Sequence, residues 1–332
     1  MTKYIFTFII ALLLSVTSFS QVTDVKSVAF TVSDLSKEVQ FFESVLQFKK
    51  VNEFALDAKT SLNLFGVKTK ETKIVVLQLG DETIQLMQFE GVQNKTIPSD
   101  SKSNDLWFQH IAIVVNDMDK AYQIIRDNDL QFVSSSPQTL PNYLPKAAGI
   151  SAFYFQDPEG HVLELIHFPK DKGNPKWQKP TEKIFLGIDH SAIGIDKTTK
   201  SLLFYTEVLG LKVGGNSENY GTEQEHLNQV FGAHLIITGL HANTGFGVEF
   251  LDYLAPQGGR LYPKESVPTD LWHWNYILKA DNIEKMYADL KAKEYKIISN
   301  GIVNLNIPKT ENTGKAILVR DPDGHALLIY QN

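Results

Sequence analysis

Four side chains in the middle of this sequence have the types and surroundings of metal ligands. His110 lies in Phe108-Gln109-His110-Ile111-Ala112-Ile113 and His190 in Ile188-Asp189-His190-Ser191-Ala192-Ile193. Glu164 lies in Val162-Leu163-Glu164-Leu165-Ile166 and Glu249 in Gly247-Val248-Glu249-Phe250-Leu251. All four runs are apolar and strand-like. Strand alternation turns each Glu to the same side as the apolar residues two places away. A buried carboxylate is costly unless it is paired or bound to metal. Few cations lie nearby in sequence, so a metal explains both Glu better than salt bridges do. A lone His on an apolar strand is most often a satisfied core residue. Two imidazoles, each with a Glu at a matched place downstream, read instead as a donor set for one divalent cation.

The matched places come from a repeat. One strand–helix–three-strand module recurs four times, at intervals of about 80 residues. Ala29, His110, His190 and Asn275 match on the first strand, and Gln85, Glu164, Glu249 and Leu328 on the last. In the outer copies Ala29 and Leu328 offer nothing to a metal, and Gln85 and Asn275 offer only weak neutral oxygens. The modules span residues 25–90, 106–168, 186–254 and 271–331, joined by the polar stretches Gly91 to Asp105, Pro169 to Lys183 and Ala255 to Asp270. Modules two and four share the turns Asp157-Pro158-Glu159-Gly160-His161 and Asp321-Pro322-Asp323-Gly324-His325. Modules one and three share Leu62-Asn63-Leu64-Phe65-Gly66 and Asn228-Gln229-Val230-Phe231-Gly232. This alternation fits duplication of a two-module unit.

Within module one, Val28 to Val32 reads as a strand, and Ser33 or Asp34 caps a helix with Val39, Phe42 and Val45 or Leu46 on one face. A strand near Phe48 to Phe54 follows, then a hairpin of Ile74 to Leu79 and Thr83 to Phe89 across Gly80-Asp81. In module two Asn116 or Asp117 caps the helix through Ala121, Ile124 and Ile125.

A βαβββ unit of this size, with His on its first strand and Glu on its last, resembles the vicinal oxygen chelate superfamily of glyoxalases, bleomycin resistance proteins and extradiol dioxygenases. Phe204-Tyr205-Thr206-Glu207-Val208-Leu209-Gly210-Leu211 and the Asp-Pro-(Glu/Asp)-Gly-His turns carry the likeness. The resemblance implies an α+β fold of four βαβββ modules forming two paired half-barrel domains, with ligands from the first and last strands of both paired modules. Those are His110, Glu164, His190 and Glu249, with Glu164 and Glu249 as the catalytic carboxylates, one of them loosening to act as a general base. Pairing of two with three and one with four gives one whole site. Pairing of one with two and three with four leaves two partial ones, the second helped by His273 or Asn275.

Zn, Ni, Co, Mn or Fe(II) suits such a donor set. A Lewis acid there stabilises an enolate oxygen, which points to a glyoxalase-like lyase or isomerase acting on a small substrate with adjacent oxygens. The alternatives are an extradiol-type ring-cleaving dioxygenase and a non-catalytic, resistance-type binding protein. A second carboxylate fills a position that dioxygen needs, so proton transfer ranks first. Glutathione as part of the substrate fits poorly: carboxylates are commonly held by Arg forks, and the chain has only Arg126, Arg260 and Arg320. The stretches Ser217 to His226 and Pro137 to Tyr143 read as polar loops over the site, with Tyr143, Asn219, Tyr220 and His226 as pocket residues. His161 and His325 read as hairpin residues, and His167, His234 and His241 as surface. Trp107, Trp272 and Trp274 read as core.

Composition bounds the rest. The 332 residues are 43% hydrophobic, as in globular proteins, and the net charge of −6 without a basic patch excludes a nucleic-acid footprint. Lys3, the apolar run Tyr4 to Val16, and small Ser18 and Ser20 read as a signal peptide over residues 1–20, cleaved near Ser20/Gln21. The expectation is an exported protein without a stable membrane anchor. It is held without disulfides, since no Cys occurs, and is compatible with a monomer.

Overall fold

Each module begins with an apolar strand that runs into a capped helix. In module one these are β1 (Val22–Thr31) and α1 (Leu35–Ser44), followed by β2 (Lys49–Asp57), α2 (Ala58–Phe65), β3 (Glu71–Leu79) and β4 (Glu82–Phe89). Module two has β5 (Phe108–Val115), α3 (Met118–Asp127), a two-residue β6 (Gln138–Thr139), β7 (Ser151–Gln156) and β8 (Val162–His167). Module three has β9 (Phe185–Gly194), α4 (Thr198–Tyr205), β10 (Lys212–Tyr220), α5 (Thr222–Asn228), β11 (His234–His241), β12 (Thr244–Gly245) and β13 (Gly247–Ala255). Module four has β14 (Trp274–Ala280), α6 (Ile283–Ala292), β15 (Val303–Leu305), β16 (Gly314–Arg320) and β17 (Ala326–Gln331). This computed structural model describes residues 21–305 and 314–332. The leader expected over residues 1–20 lies outside the described residues.

The long helices start where a short polar side chain can accept from the third helical N–H. Asp34 accepts from Lys37, Asp117 from Lys120 and Asn282 from Lys285. Lys197 cannot do this for α4, and Asp252 on β13 serves instead, accepting from the Thr198 N–H at 2.9 Å and its hydroxyl at 2.8 Å.

Modules pair across the chain's midpoint. One sheet runs β10-β11-β13-β9-β5-β8-β7-β6, from modules two and three. The other runs β15-β16-β17-β14-β1-β4-β3-β2, from modules one and four, with β12 added alongside β1. The strands joining the halves are antiparallel first strands, β5 with β9 and β1 with β14. This is the arrangement of two paired half-barrels, and it separates His273 and Asn275 from the sheet that carries His110 and His190.

Strand register corrects one match. Glu164 lies opposite Ala112, Glu249 opposite Ala192 and Leu328 opposite Ile277, each two residues beyond the first-strand site. Gln85 lies opposite Ala29. Ala29 is therefore equivalent to Ala112 and Ala192, and the true counterpart of His190 in module one is Ser27.

One apolar core serves both sheets. Phe42 of α1, Ile125 of α3, Phe204 of α4 and Met286 of α6 all belong to it. Between the sheets Trp274 stacks on Phe30 at 4.9 Å and Phe108 at 5.4 Å. Trp107 and Trp274 are buried, with Trp272 half-buried.

Polar clasps add to this core. The β7–β8 turn reaches α1, where the Glu159 carboxylate accepts from the Ser33 and Asp34 N–H groups, both at 2.7 Å. The β16–β17 turn reaches α4, where Asp323 accepts from Lys200 and Ser201. His161 and His325 end these turns, but both are wholly buried. Each pairs with the Asp four residues earlier, at 2.7 Å and 2.8 Å. Burial opposes the charge on His161, yet the Asp157 carboxylate outweighs it and raises the pKa. His161 Nε2 then donates to the carbonyls of Thr31 and Leu271. A hairpin reading of His161 and His325 thus places the backbone correctly and misses the buried His–Asp pairing beneath it.

Candidate metal centre

The central quartet converges. His110 Nε2 lies 3.4 Å from His190 Nε2. Glu164 Oε2 lies 3.1 Å from His110 Nε2 and 3.5 Å from His190 Nε2. Glu249 Oε1 lies 3.4 Å from His190 Nε2. The candidate ligand atoms of His110, His190 and Glu249 all fall within 4.8 Å of one another. Crossing of β5 and β9 brings the two imidazoles together: His110 is opposite Ala192 and His190 opposite Ala112. The parallel neighbours β8 and β13 bring in the two carboxylates.

The residues fit a divalent ion. Two imidazole Nε2 atoms 3.4 Å apart, each within 3.5 Å of a carboxylate oxygen, are nitrogen and oxygen donors close enough to share one cation. Burial would raise the Glu164 pKa, but His110 and His190 override it and hold the carboxyl down at about 2. Glu249 goes the other way: burial raises it, and His190 and His110 offset this only in part. Its side chain is 20% exposed against 5% for Glu164, so Glu249 is the more open carboxylate.

An outer layer fixes His190. Asp189 Oδ2 lies 3.1 Å from His190 Nδ1, which sets the tautomer with Nε2 free to bind. Asp189 in turn accepts from Trp177 Nε1 at 2.8 Å. Neighbouring strand residues normally face opposite ways. Here β5 runs from Ala112 opposite His190 to Ile113 opposite Ile188, so Asp189 is the extra residue of a β-bulge and is re-aimed beside its neighbour. Trp177 sits in a short 3-10 turn (Pro175–Gln178) in the linker between modules two and three. It reaches Asp189 because residue 187 is glycine: a Cβ there would lie 2.8 Å from the indole. On the other imidazole, Tyr154 packs its ring 4.8 Å from His110, and His110 Nδ1 has no hydrogen-bond partner among the described residues.

A cavity of about 140 Å³ opens beside the quartet, lined by Glu164, His190 and Glu249 together with Tyr154, Asn219 and Gln224. Of the pocket residues expected from sequence, Asn219 lines it. Tyr143 and Tyr220 do not: they lie against each other outside it, ring centroids 5.6 Å apart, and are 52% and 41% exposed. His226 is exposed on α5 and does not line it either. The physical reason is secondary structure. Ser217 to Tyr220 completes β10 and Thr222–Asn228 is helical, so Asn219, Tyr220 and His226 take alternate faces of regular elements where a loop was expected. His273 is fully buried and lines neither this cup nor its counterpart in the other sheet. His241 is exposed, and His167 and His234 are half-buried.

The chain matches the Glyoxalase/Bleomycin resistance protein/Dioxygenase superfamily twice, over residues 24–165 and 187–329. Each matched unit contributes one module to each sheet. A 2-epi-5-epi-valiolone epimerase of Actinomyces sp is 33% identical over 151 residues, 44% of this chain and 79% of that protein. The metallothiol transferase FosB of Staphylococcus epidermidis is 24% identical over 147 residues, 44% of this chain and 82% of that protein. Among solved structures, a point variant of glyoxalase I from Zea mays superposes with a TM-score of 0.59 at 16% identity, covering 94% of this chain and 92% of that one. A putative dioxygenase from Bacillus subtilis gives 0.57 at 13% identity, covering 94% and 86%. The two structures speak for the fold; both sequence relatives are named as enzymes. With both halves matched, the chain belongs to the glyoxalase/bleomycin resistance protein/dioxygenase superfamily.

Proposed function

We propose that this chain is a metal-dependent enzyme of glyoxalase-like lyase or isomerase type, moving a proton at a carbon beside two adjacent oxygens of a small substrate. The observation that carries this reading is the convergence of His110, Glu164, His190 and Glu249 on one another, beside a cavity that Glu164, His190 and Glu249 line. These four residues would hold a divalent ion, of which Zn, Ni, Co, Mn and Fe(II) all suit the donors, and such an ion supplies Lewis acidity toward the substrate oxygens. His190 is kept in its binding tautomer by Asp189. Glu164 is walled in and stays ionised as a permanent donor. Glu249 is the more open of the two carboxylates, so it is the group placed to take the proton and return it. A relative named as an epimerase supports the isomerase side, since epimerisation beside a carbonyl is this proton movement. The fourth donor counts against ring-cleaving dioxygenation, which needs open positions for dioxygen. It also counts against a purely binding role.

The test is exchange of solvent deuterium into the C–H beside the carbonyl of 2-hydroxycyclohexanone, with metal content measured on the same sample. Wild type should hold metal and catalyse exchange. Glu249→Gln, compared at saturating metal, should lose about 10²–10⁴-fold in rate. A wild-type chain without metal, or a Glu249→Gln variant with full exchange, overturns the reading. Export remains a proposal resting on residues 1–20, checked by whether the mature N-terminus in extracytoplasmic fractions is Gln21. Among the described residues no helix is long and apolar enough to cross a membrane.

A further inference from the structure

One wall of the cup is a row of neutral side chains joined end to end. Asn219 on β10 donates through Nδ2 to Gln224 Oε1 on α5 at 3.0 Å. Gln224 donates to Asn228 Oδ1, and Asn228 donates to the Tyr253 hydroxyl on β13. All four are buried, between 1% and 9% exposed. The row leaves one group over. Asn219 Oδ1 is buried without a hydrogen-bond partner, and Asn219 lines the same cavity as His190, Glu164 and Glu249. A buried acceptor left unmade is costly, so its place at the cavity calls for a donor supplied from within it.

Charge and size narrow the donor. Among the described residues Lys146 is the one Lys or Arg lining the cavity, against the carboxylates of Glu164, Asp189 and Glu249. Such a lining gives no fork for a dianionic conjugate or a phosphate ester. The 140 Å³ volume is close to that of cavities that hold one six-membered ring, on the order of 150 Å³.

We infer that Asn219, held by the Gln224–Asn228–Tyr253 row, accepts a hydrogen bond from a substrate hydroxyl, and that the substrate is an uncharged, ring-sized, polyhydroxylated carbonyl compound. This rests on the proposed metal-centre reading: two adjacent oxygens face the quartet, and a further hydroxyl faces Asn219.

Equilibrium binding to the metal-loaded full chain tests it with three probes: scyllo-inosose, a ring ketone with several hydroxyls; 2-hydroxycyclohexanone, which keeps only the adjacent pair; and dihydroxyacetone phosphate. Wild type should bind scyllo-inosose about tenfold tighter than 2-hydroxycyclohexanone, and both tighter than the phosphate ester. Asn219→Ala should remove that tenfold preference while metal uptake and 2-hydroxycyclohexanone binding stay as in wild type. Tyr253→Phe, which deletes only the far hydroxyl, should lose about threefold on scyllo-inosose alone, and it carries the test if Asn219→Ala does not fold. Equal losses on both ring compounds, no loss, or preference for the phosphate ester overturns the inference. So does a metal-loaded chain that binds neither ring compound. A chain that takes up no metal overturns the reading of the site, and this inference with it.

Discussion

In the sheet of modules two and three the four inward positions are His110, Glu164, His190 and Glu249; in the sheet of modules one and four they are Asn275, Leu328, Ser27 and Gln85. The second cup is closed by its own core. Leu64 and Phe65 of α2, with Met87, Ile277 and Tyr330, fill it and leave about 30 Å³. The equivalent helix in the first cup, α5, stops one turn earlier, at Asn228, with Gln229 in the left-handed region at φ 53°. Of the matched aromatics that follow, Phe65 is 1% exposed and Phe231 93% exposed. Both cups share strand order and register, so the fold requires neither the polar quartet nor the cavity. A filled cup is the stable solution. An open one gives up apolar burial to keep donors and space together, which is the usual sign of a site retained for chemistry.

Substitutions at equivalent positions break this comparison most sharply. His190→Ala removes a donor whose loss exceeds what a merely supporting residue costs, so metal affinity should fall by more than about 100-fold. Asn275→Ala in the filled cup should leave metal content as in wild type. Metal titration of both variants decides; equal effects would mean that the cups do not differ as described.

Packing gives the opposite pattern. Phe65→Ala opens the filled cup and should destabilise the chain by about 3–5 kcal/mol. Phe231→Ala touches little and should fall within about 0.5 kcal/mol of wild type. Thermal or denaturant unfolding measures both, and neither should alter metal content.

The quartet was legible in sequence because matched His and Glu recur in apolar runs, where neither type belongs without a reason. Partition of the ligands between modules pointed to the pairing of two with three. The slip at Ala29 has a physical origin. Ala29 and Ser27 face the same side of β1, so a displacement of two leaves the inward pattern intact, and Ser27 carries no ligand to betray it. Asp189 stood beside His190 in plain view, but a bulge aims it there, and a bulge has no periodic signature. Helix α5 was missed because Thr222-Glu223-Gln224-Glu225-His226 is polar around most of its turn. Its buried face is made of Gln224, Leu227 and Asn228, which a search for apolar stripes passes over.

Support of His190 is a finer difference between the cups, for the filled cup has no imidazole to orient. Asp189→Asn should weaken metal affinity about 10–100-fold. Trp177→Phe keeps the ring over Gly187 and deletes only its N–H, so it should lie at or below the lower end of that range. A Co(II) absorption spectrum, altered in band position for Asp189→Asn, separates reoriented ligation from a general loss of fold.

A pH-dependent difference tests the two clasps. Ser201 on α4 donates to Asp323, whereas the equivalent residue on α1 is Glu38, fully buried with neither carboxyl oxygen hydrogen-bonded. Burial, with the negative Asp157 and Glu159 beside it and only Lys37 opposing, pushes the Glu38 pKa up to about 10. Folded chains therefore keep this carboxyl protonated at neutral pH, while unfolded chains lose the proton above the ordinary value of 4.5. The contribution to stability is present in full below 4.5 and is lost progressively as pH rises toward about 10, with a limiting slope of about 1.4 kcal/mol per pH unit for one proton. Glu38→Gln removes the titration, so the variant should gain on wild type as pH rises from 5 to 8, by up to about 4 kcal/mol over the three units. Denaturant unfolding at the two pH values measures the gain. A constant difference between variant and wild type would place the Glu38 proton elsewhere and make the two clasps electrostatically alike.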